Sequence, residues 1–258
     1  MATLKDIAQR AGVTATTVSR VINNRGYISE GTRKKVYAAM EEMHYQPNEL
    51  ARAFSKQYTN TIGLIVPHIS HPFFTKVISN IESSAAEKGF KLLLCNSKEQ
   101  PEKEQDYLDM CISNRVAGIV LCSKYVQTRE FRKMNIPVVN LERGGDDDTI
   151  SVQCDNYQGG KLAAEHLIEC GCKNLLHFGG VAGKDMPADR RADGFLRVCR
   201  ERGIEGEVLL SDRFSYGSMH YESYIEKGLL EHPETDGIFA SSDLILSLIH
   251  ISEPTRLR

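Results

Sequence analysis

Apolar residues recur at helical spacing along the first segment of the chain. They stand at i, i+3, i+4 and i+7, which places them on one face of a helix: Leu4, Ile7, Ala8 and Ala11. Thr3 and Asp6 have the spacing of an N-terminal capping box, in which each side chain bonds the other residue's backbone. Gly12 is the residue type that most often ends a helix. The pattern therefore predicts a helix over residues 4–11.

Two more helices are predicted after short breaks. Thr14 suits the N-cap of a second helix over residues 15–23, and the inner face of that helix is apolar: Val18, Val21 and Ile22. Ser29 suits the N-cap of a third helix, which reaches about His44. The turn between the first two helices has about three residues, as a helix-turn-helix requires. We predict an all-α helix-turn-helix head over residues 1–46.

The outer face of the second predicted helix carries short or hydrogen-bonding side chains: Thr16, Ser19, Arg20 and Asn23, with Ala15 at its N-terminal end. Such a face fits the major groove of DNA, where hydroxyls, a methyl group and a guanidinium read base edges. An ordinary solvated helix face has the same spacing, so the spacing by itself leaves both interpretations open.

From residue 60 onward, short apolar runs alternate with amphipathic helical segments. The strand candidates are residues 62–66, 91–95, 118–121, 137–141, 175–178, 207–210 and 237–240. The helix candidates between them include residues 73–88, 102–114, 158–169 and 188–201. This alternation predicts parallel sheets with helices on both faces. Ligands of such folds bind beyond the C-terminal ends of the strands.

Charge becomes informative only when the chain is divided. The 258 residues carry a net charge of −2. The first 60 residues hold nine Lys or Arg against five acids, a net charge of +4, and the remainder holds 23 against 29, a net charge of −6. A cationic head, residues 1–60, on an acidic body suggests that the head alone binds a polyanion.

Composition and motifs exclude several classes of protein. The seven cysteines are an odd, scattered set that forms no disulfide framework. No apolar stretch approaches the roughly 18 residues of a membrane helix, and no signal sequence opens the chain, so we expect a cytoplasmic protein with no membrane partner. The spacing of His166, Cys170, Cys172 and His177 is not a common zinc pattern. Residues 178–185 lack the first Gly and the final Ser or Thr of a phosphate loop. We therefore expect that the protein is not an enzyme and that it binds no cofactor.

Residues 3–13, TLKDIAQRAGV, and residues 16–23, TTVSRVIN, form long runs without gaps. They resemble the N-terminal signature of the lac repressor/galactose repressor family of bacterial transcription regulators. Residues 27–33, 45–52 and 60–67 resemble that family as well. The resemblance implies a repressor whose helix-turn-helix head precedes an α/β body similar to periplasmic binding proteins, with two doubly wound parallel-sheet lobes.

The resemblance also assigns DNA contacts. Ala15, Thr16 and Arg20 stand where the family reads bases. Thr17 and Ser19 stand where it holds the DNA backbone, and Asn23 lies near the groove or the phosphates. We assign three further residues to the DNA-binding surface: Thr3, Lys5 and Thr14.

Residues 47–59 match the family's hinge helix, which orders on operator DNA and inserts an apolar wedge, usually Leu, into the minor groove. Such a short helix is not stable alone in water. Phe54 takes the wedge position here, and Asn48 and Ala51 lie on the same segment. A linker whose Phe54 packs against the body is the other interpretation.

The family's body divides here into a first effector-binding lobe, residues 60–157, and a second, residues 158–246, which is incomplete at its C-terminus. Residues 247–258 do not resemble the family, and we expect them to be a non-native tail outside the fold. Family members continue further, so the chain is expected to be C-terminally truncated.

Effector contacts follow from strand ends and from the resemblance. Ser70, His71 and Phe73 lie in a turn similar to the family's Asn-Pro-Phe-Phe, with His71 in place of the usual Asn. Arg191 and Asp243 stand where the family clamps its effector, and Phe214 is a candidate for stacking on it. A structural salt bridge is the alternative for Arg191 and Asp243. Asp155 is more simply a helix N-cap than an effector ligand.

These observations predict a homodimer that binds a pseudo-palindromic operator and responds to a small effector. The resemblance implies a carbohydrate, either a sugar or a sugar phosphate, although purines also occur as effectors in the family. The alternative is a sugar-binding module without a role in DNA regulation.

Overall fold

The computed structural model describes residues 2–45, 58–123, 125, 136–143, 149–181 and 186–252. The chain forms two compact units, Met1–Thr59 and Asn60–Arg258. The first unit holds the head and the second holds the body.

Three helices form the head: α1 (Leu4–Ala11), α2 (Ala15–Ile22) and α3 (Glu30–Glu42). The predicted capping box is present, because Thr3 Oγ1 accepts from the Asp6 backbone while the Asp6 carboxylate accepts from the Thr3 backbone. Gly12 ends α1 with a left-handed φ of 67°. Thr14 and Ser29 cap α2 and α3, each accepting from the backbone three residues on.

The head's core consists of the apolar faces of these helices. Its buried residues are Ile7, Ala8, Val18, Val21, Val36 and Ala39. Arg10 and Glu42 add a two-pronged ion pair from α1 to α3, with Nε donating over 2.9 Å. That pair is solvent-exposed, so the apolar core accounts for most of the stability of the head. The three helices and their inner faces confirm the sequence prediction.

The first sheet of the body has five parallel strands in the order β2-β1-β3-β4-β5. The strands are β1 (Thr61–Val66), β2 (Lys91–Asn96), β3 (Gly118–Leu121), β4 (Val138–Leu141) and β5 (Ile150–Val152). Helix α4 (Pro72–Glu87) connects β1 to β2, and helix α5 (Pro101–Ser113) connects β2 to β3. In the core, Ile65 of β1 lies beside Cys95 on one side and Leu121 on the other.

The second sheet has three parallel strands in the order β7-β6-β8. These are β6 (Asn174–Val181), β7 (Glu205–Ser211) and β8 (Gly237–Ala240). The helices of this lobe are α6 (Asn156–Glu169), α7 (Arg190–Arg202), α8 (Arg213–Ser218), α9 (Glu222–Glu231) and α10 (Asp243–Ser252). Parallel strands alternating with helices confirm the predicted fold class.

Two predicted boundaries need correction. The division at residues 157 and 158 falls inside α6, which packs as a whole against α7 of the second lobe. Residues 247–252, expected to lie outside the fold, continue α10, and Ile249 is 3% exposed in a cluster with Leu176 and Ile225. The reason is helical spacing, because Ile245, Leu248 and Ile249 share one apolar face. Residues 253–258 lie outside the described residues, and their non-native origin stays a prediction.

The described residues contain no helix both long and apolar enough to cross a membrane. Within the same part of the chain, no three or more His, Cys, Asp or Glu side chains are grouped to hold a metal ion. All seven cysteines are free.

Candidate functional site

The outer face of α2 presents two exposed polar side chains, Thr16 and Arg20, one helical turn apart. Ala15, Thr17 and Ser19 are half-buried beside them. Val18 and Val21 are 0% exposed and fix the opposite face of α2 against the head's core. The rotation of α2 is therefore set by its buried valines, and Thr16 and Arg20 point away from that core.

Several predicted contact residues also stabilise the ends of the helices. The Asn23 amide donates to the Ser19 carbonyl over 2.8 Å, at the C-terminal end of α2. The hydroxyls of Thr14 and Thr17 are 2.9 Å apart at its N-terminal end. Thr3 caps α1, and Lys5 is exposed in the first turn of that helix. Asn48, Ala51 and Phe54 lie outside the described residues.

A cavity of about 290 Å³ opens in the body at the C-terminal ends of strands from both sheets. Four of the six predicted effector residues line it: His71, Phe73, Arg191 and Asp243. Ser70 is exposed and is not among the lining residues. Phe214 lies in α8, but its side chain is outside the described residues. The rule that ligands bind at strand ends agrees with the position of the cavity.

His71 forms one wall of the cavity and the N-cap of α4. Its Nδ1 accepts a hydrogen bond from the Phe73 backbone over 3.2 Å, which leaves Nε2–H as the donor of the neutral ring. Burial, followed by the nearby His68, lowers the pKa of His71, while Asp243 across the cavity opposes that shift. The His71 and Phe74 rings meet edge to face with centroids 5.7 Å apart. A neutral donor therefore faces the cavity beside aromatic carbon.

Arg191 forms the opposite wall. Its Nε donates to Asn156 Oδ1 over 2.8 Å and its Nη1 donates to the Ser241 carbonyl over 2.7 Å. Both acceptors are neutral, so these contacts of Arg191 differ from the salt bridge considered as an alternative. A guanidinium has five N–H donors, and these two bonds use two of them.

Close packing of α6 on α7 places Arg191 against Asn156. A Cβ at Gly160 would lie 2.7 Å from the Arg191 carbonyl carbon, and one at Gly194 would lie 3.0 Å from the Tyr157 carbonyl carbon. Both glycines are thus required for backbone-to-backbone contact. Asp155 caps α6 by accepting from the Gln158 backbone over 3.0 Å, which confirms the capping role weighed for it.

The sequence prediction missed several lining residues: Glu142, Asp189, Ser211, Tyr221 and Ser241. Three of them stand at or just after the C-terminal ends of β4, β7 and β8. The strand-end rule applied to every predicted strand would have marked these three. Asp189 and Tyr221 come from irregular segments and had no such signal.

Two family models match the chain. "Bacterial regulatory proteins, lacI family" matches residues 3–48. "Periplasmic binding proteins and sugar binding domain of LacI family" matches residues 59–251. The first match covers the head and the second covers both sheets of the body.

Curated relatives are similar over nearly the whole chain. A sucrose operon repressor of Pediococcus pentosaceus is 38% identical over 247 residues, which are 95% of this chain and 75% of the relative. A ribose operon repressor of Halalkalibacterium halodurans is 37% identical over 248 residues, which are 95% of this chain and 73% of the relative.

Solved structures share the architecture. A periplasmic binding protein/LacI transcriptional regulator from Alkaliphilus metalliredigens, complexed with D-xylulofuranose, is 34% identical with a TM-score of 0.65, covering 77% of this chain and 73% of that one. The lac repressor bound to ONPG, at 22% identity, aligns with a TM-score of 0.81 over 98% of this chain and 77% of that one. At that identity the second likeness shows the fold alone.

Proposed function

The chain belongs to the lacI family of bacterial regulatory proteins, and from this premise we propose that it is a transcriptional repressor whose operator binding is controlled by a small carbohydrate. It is a regulator and not an enzyme, as are the relatives that it matches. The observation that carries the proposal is the combination of an exposed polar face on α2 with a strand-end cavity in the body.

The DNA-binding half of the function belongs to α2. In a two-fold dimer, two such helices reach successive major grooves of a pseudo-palindromic operator. Arg20 pairs with a base edge, Thr16 and Ala15 contact bases, and Thr17 and Ser19 hold the sugar-phosphate backbone. The hinge segment, residues 47–59, inserts Phe54 into the minor groove between the half-sites. The protein acts in the cytoplasm, where a bacterial operator is found.

The effector is a neutral polyhydroxyl compound rather than a phosphorylated one. Among the described lining residues, Glu142, Asp189 and Asp243 are carboxylates, whereas Arg191 is the guanidinium that opposes them. His71 adds no positive charge near neutral pH because its pKa is lowered. Carboxylates accept hydrogen bonds from hydroxyls but repel a phosphate dianion. The relatives named for sucrose and ribose operons support a neutral sugar.

Effector binding regulates the operator affinity through the two lobes of the body. A sugar held between His71 and Asp243 contacts both lobes and favours one angle between them. The two hinges of a dimer then change their spacing, which changes the population that is competent to bind DNA.

Two measurements on the 258-residue protein test the proposal. Duplexes selected by the protein from a random pool should bind in fluorescence anisotropy more tightly than scrambled duplexes. A thermal-shift panel of sucrose, D-ribose, other neutral sugars and D-ribose 5-phosphate should contain a neutral sugar that stabilises the protein. At 100 times its Kd such a sugar adds about 2.7 kcal/mol, which raises Tm by about 5–10 °C.

The two alternatives predict different results. A sugar-binding module without DNA regulation would bind a sugar but would show no preference for any duplex at low salt. A site for phosphorylated effectors would respond to D-ribose 5-phosphate more strongly than to D-ribose, which would overturn the charge argument.

A further inference from the structure

A chain of hydrogen bonds runs along the floor of the effector cavity. Asn156 lies at its centre and is 4% exposed. Its amide nitrogen donates to Glu142 Oε2 over 3.2 Å, and its Oδ1 accepts from Arg191 Nε over 2.8 Å. Arg191 continues the chain by donating to the Ser241 carbonyl over 2.7 Å. Glu142, Arg191 and Ser241 all line the cavity.

The two ends of this chain belong to different lobes. Glu142 directly follows β4 of the first sheet. Arg191 lies in α7, and Ser241 directly follows β8 of the second sheet. Asn156 is the first residue of α6, just after the chain has left β5 and crossed from one lobe to the other. The amide of Asn156 thus joins side chains of the two lobes.

Only an amide can make both bonds. The NH₂ group donates to the carboxylate of Glu142, while the carbonyl accepts from the guanidinium of Arg191. A carboxylate at this position would face Glu142 with like charge, and an ammonium would face Arg191 with like charge. A hydroxyl is too short to span both partners.

Glu142 is held in place by a second set of constraints. Its φ of 50° lies in the left-handed region, which is uncommon for a residue with a Cβ. Its backbone N–H donates to the Val152 carbonyl over 2.9 Å, and its Oε1 accepts from the Cys154 backbone. Strained backbone of this kind persists where the surroundings fix it, and it concentrates at functional sites.

We propose that Asn156 is a positioning residue that transmits effector binding at Arg191 to the angle between the lobes. The proposal rests on the proposed function above. A sugar hydroxyl that accepts a hydrogen bond from Arg191 displaces the guanidinium, which is already bonded to Asn156. Because Asn156 is also bonded to Glu142 of the other lobe, the displacement of Arg191 moves Glu142 as well. Loss of the amide leaves a lobe pair that binds sugar but responds less to it.

The test compares Asn156→Ala with Asn140→Ala. Asn140 is a matched control because it is also a buried asparagine, 0% exposed, with both side-chain functions bonded. Its amide donates to Thr149 over 2.6 Å and its oxygen accepts from Arg143 over 3.1 Å. All three residues belong to the first lobe, so Asn140→Ala removes comparable bonds without separating the lobes.

The measured quantity is the coupling factor, the ratio of operator Kd values with and without saturating sugar. Fluorescence anisotropy measures this coupling factor. The titrations use the selected duplex and the neutral sugar that most stabilises the wild-type protein in the thermal-shift panel. The wild type is expected to show a factor of about 5–150, and Asn156→Ala a factor within about twofold of unity. Asn140→Ala should lower Tm yet retain the wild-type factor. Glu142→Ala removes the acceptor at the other end of the chain and should lose coupling as Asn156→Ala does.

The outcomes separate the two proposals. A wild-type protein that binds no selected duplex, or whose operator affinity no sugar changes, overturns the proposed function, and the role of Asn156 fails with it. A wild-type protein that responds normally, with Asn156→Ala and Glu142→Ala responding equally well, overturns the role of Asn156 alone. Equal loss of coupling in Asn140→Ala also overturns it, because general destabilisation would then explain the effect.

Discussion

Gly160→Ala is expected to destabilise the body, whereas the neighbouring Gly159→Ala is expected to stabilise it. Gly160 is buried where α6 meets α7, and a Cβ there would lie 2.7 Å and 2.9 Å from two backbone carbons of Arg191. Gly159 is exposed on the same helix, and a Cβ there would meet nothing within 4 Å. The two substitutions add the same methyl group to adjacent positions of one helix.

The magnitudes follow from contact distances. Carbon atoms pack at about 3.5–4.0 Å, and the Arg191 carbonyl oxygen would lie nearer still, so the α6 and α7 backbones must separate by at least about 1 Å to admit the methyl group. Overpacking of this kind costs about 1–3 kcal/mol, and occasionally more where only backbone can move. Replacing Gly by Ala in a helix gains about 1 kcal/mol. Because only backbone can move here, we take the upper end of that cost, about 3 kcal/mol, so Gly160→Ala should lose about 2 kcal/mol net. Gly159→Ala should gain up to about 1 kcal/mol.

Differential scanning calorimetry measures both effects. For a unit of this size, about 2 kcal/mol lowers Tm by about 4–8 °C, and about 1 kcal/mol raises it by about 2–4 °C. Separation by 1 Å would also stretch the 2.8 Å bond from Arg191 to Asn156 beyond hydrogen-bonding distance. Gly160→Ala should then show a coupling factor closer to unity, as Asn156→Ala does. Equal Tm values for the two variants would refute the close contact of α6 with α7.

Three other predictions concern single positions. Gly12→Ala should cost the head about 1–2 kcal/mol, because φ is 67° there and the cost is purely conformational. Amide hydrogen exchange of α1 and α2 should then quicken, whereas Gly31→Ala, with open space in α3, should not quicken it. Burial lowers the pKa of His177 to about 4 from its ordinary 6.5, so the folded state favours the neutral ring. The contribution of the neutral His177 ring to the free energy of unfolding is fully present above pH 6.5 and falls by about 3 kcal/mol as the pH drops to 4. Urea unfolding of His177→Phe should lack this pH dependence. Asp243→Asn should raise the sugar Kd about 10- to 100-fold in calorimetric titration, since bonds to charged groups contribute about 1.5–3 kcal/mol; an unchanged Kd would remove Asp243 from the effector site.

Local signals in the sequence predicted the head well. Capping by Thr3, Thr14 and Ser29 depends on residues three positions apart, and the left-handed end at Gly12 depends on one residue. Such features require no knowledge of tertiary contacts. Where a helix end is decided by neighbours in the chain, the sequence is sufficient to predict it.

Elements whose formation depends on distant contacts were missed. Strand β5 (Ile150–Val152) is three residues long and exposed at the edge of its sheet, so it has neither length nor alternation to reveal it. The second part of α10, residues 247–252, was assigned to a tail, although Ile249 belongs to the apolar cluster of the second lobe. In both cases pairing with elements far along the chain determines the structure.

The cavity was predicted only in part for a similar reason. Arg191 and Asp243 were found through a family resemblance and the strand-end rule, and both line the cavity. Glu142 directly follows β4, so the strand-end rule could have marked it, but its left-handed φ of 50° has no signal in the sequence. Asn156 escaped because a buried amide acquires its role from partners in two lobes.

The central claim is that α2 reads DNA sequence through its exposed face. The most direct measurement is the Kd of Arg20→Ala and of Lys5→Ala for the selected operator and for a scrambled duplex at one salt concentration. Arg20→Ala should lose about 1–3 kcal/mol on the operator with little loss on the scrambled duplex, while Lys5→Ala should weaken both alike. Equal losses on both duplexes for Arg20→Ala would contradict the claim.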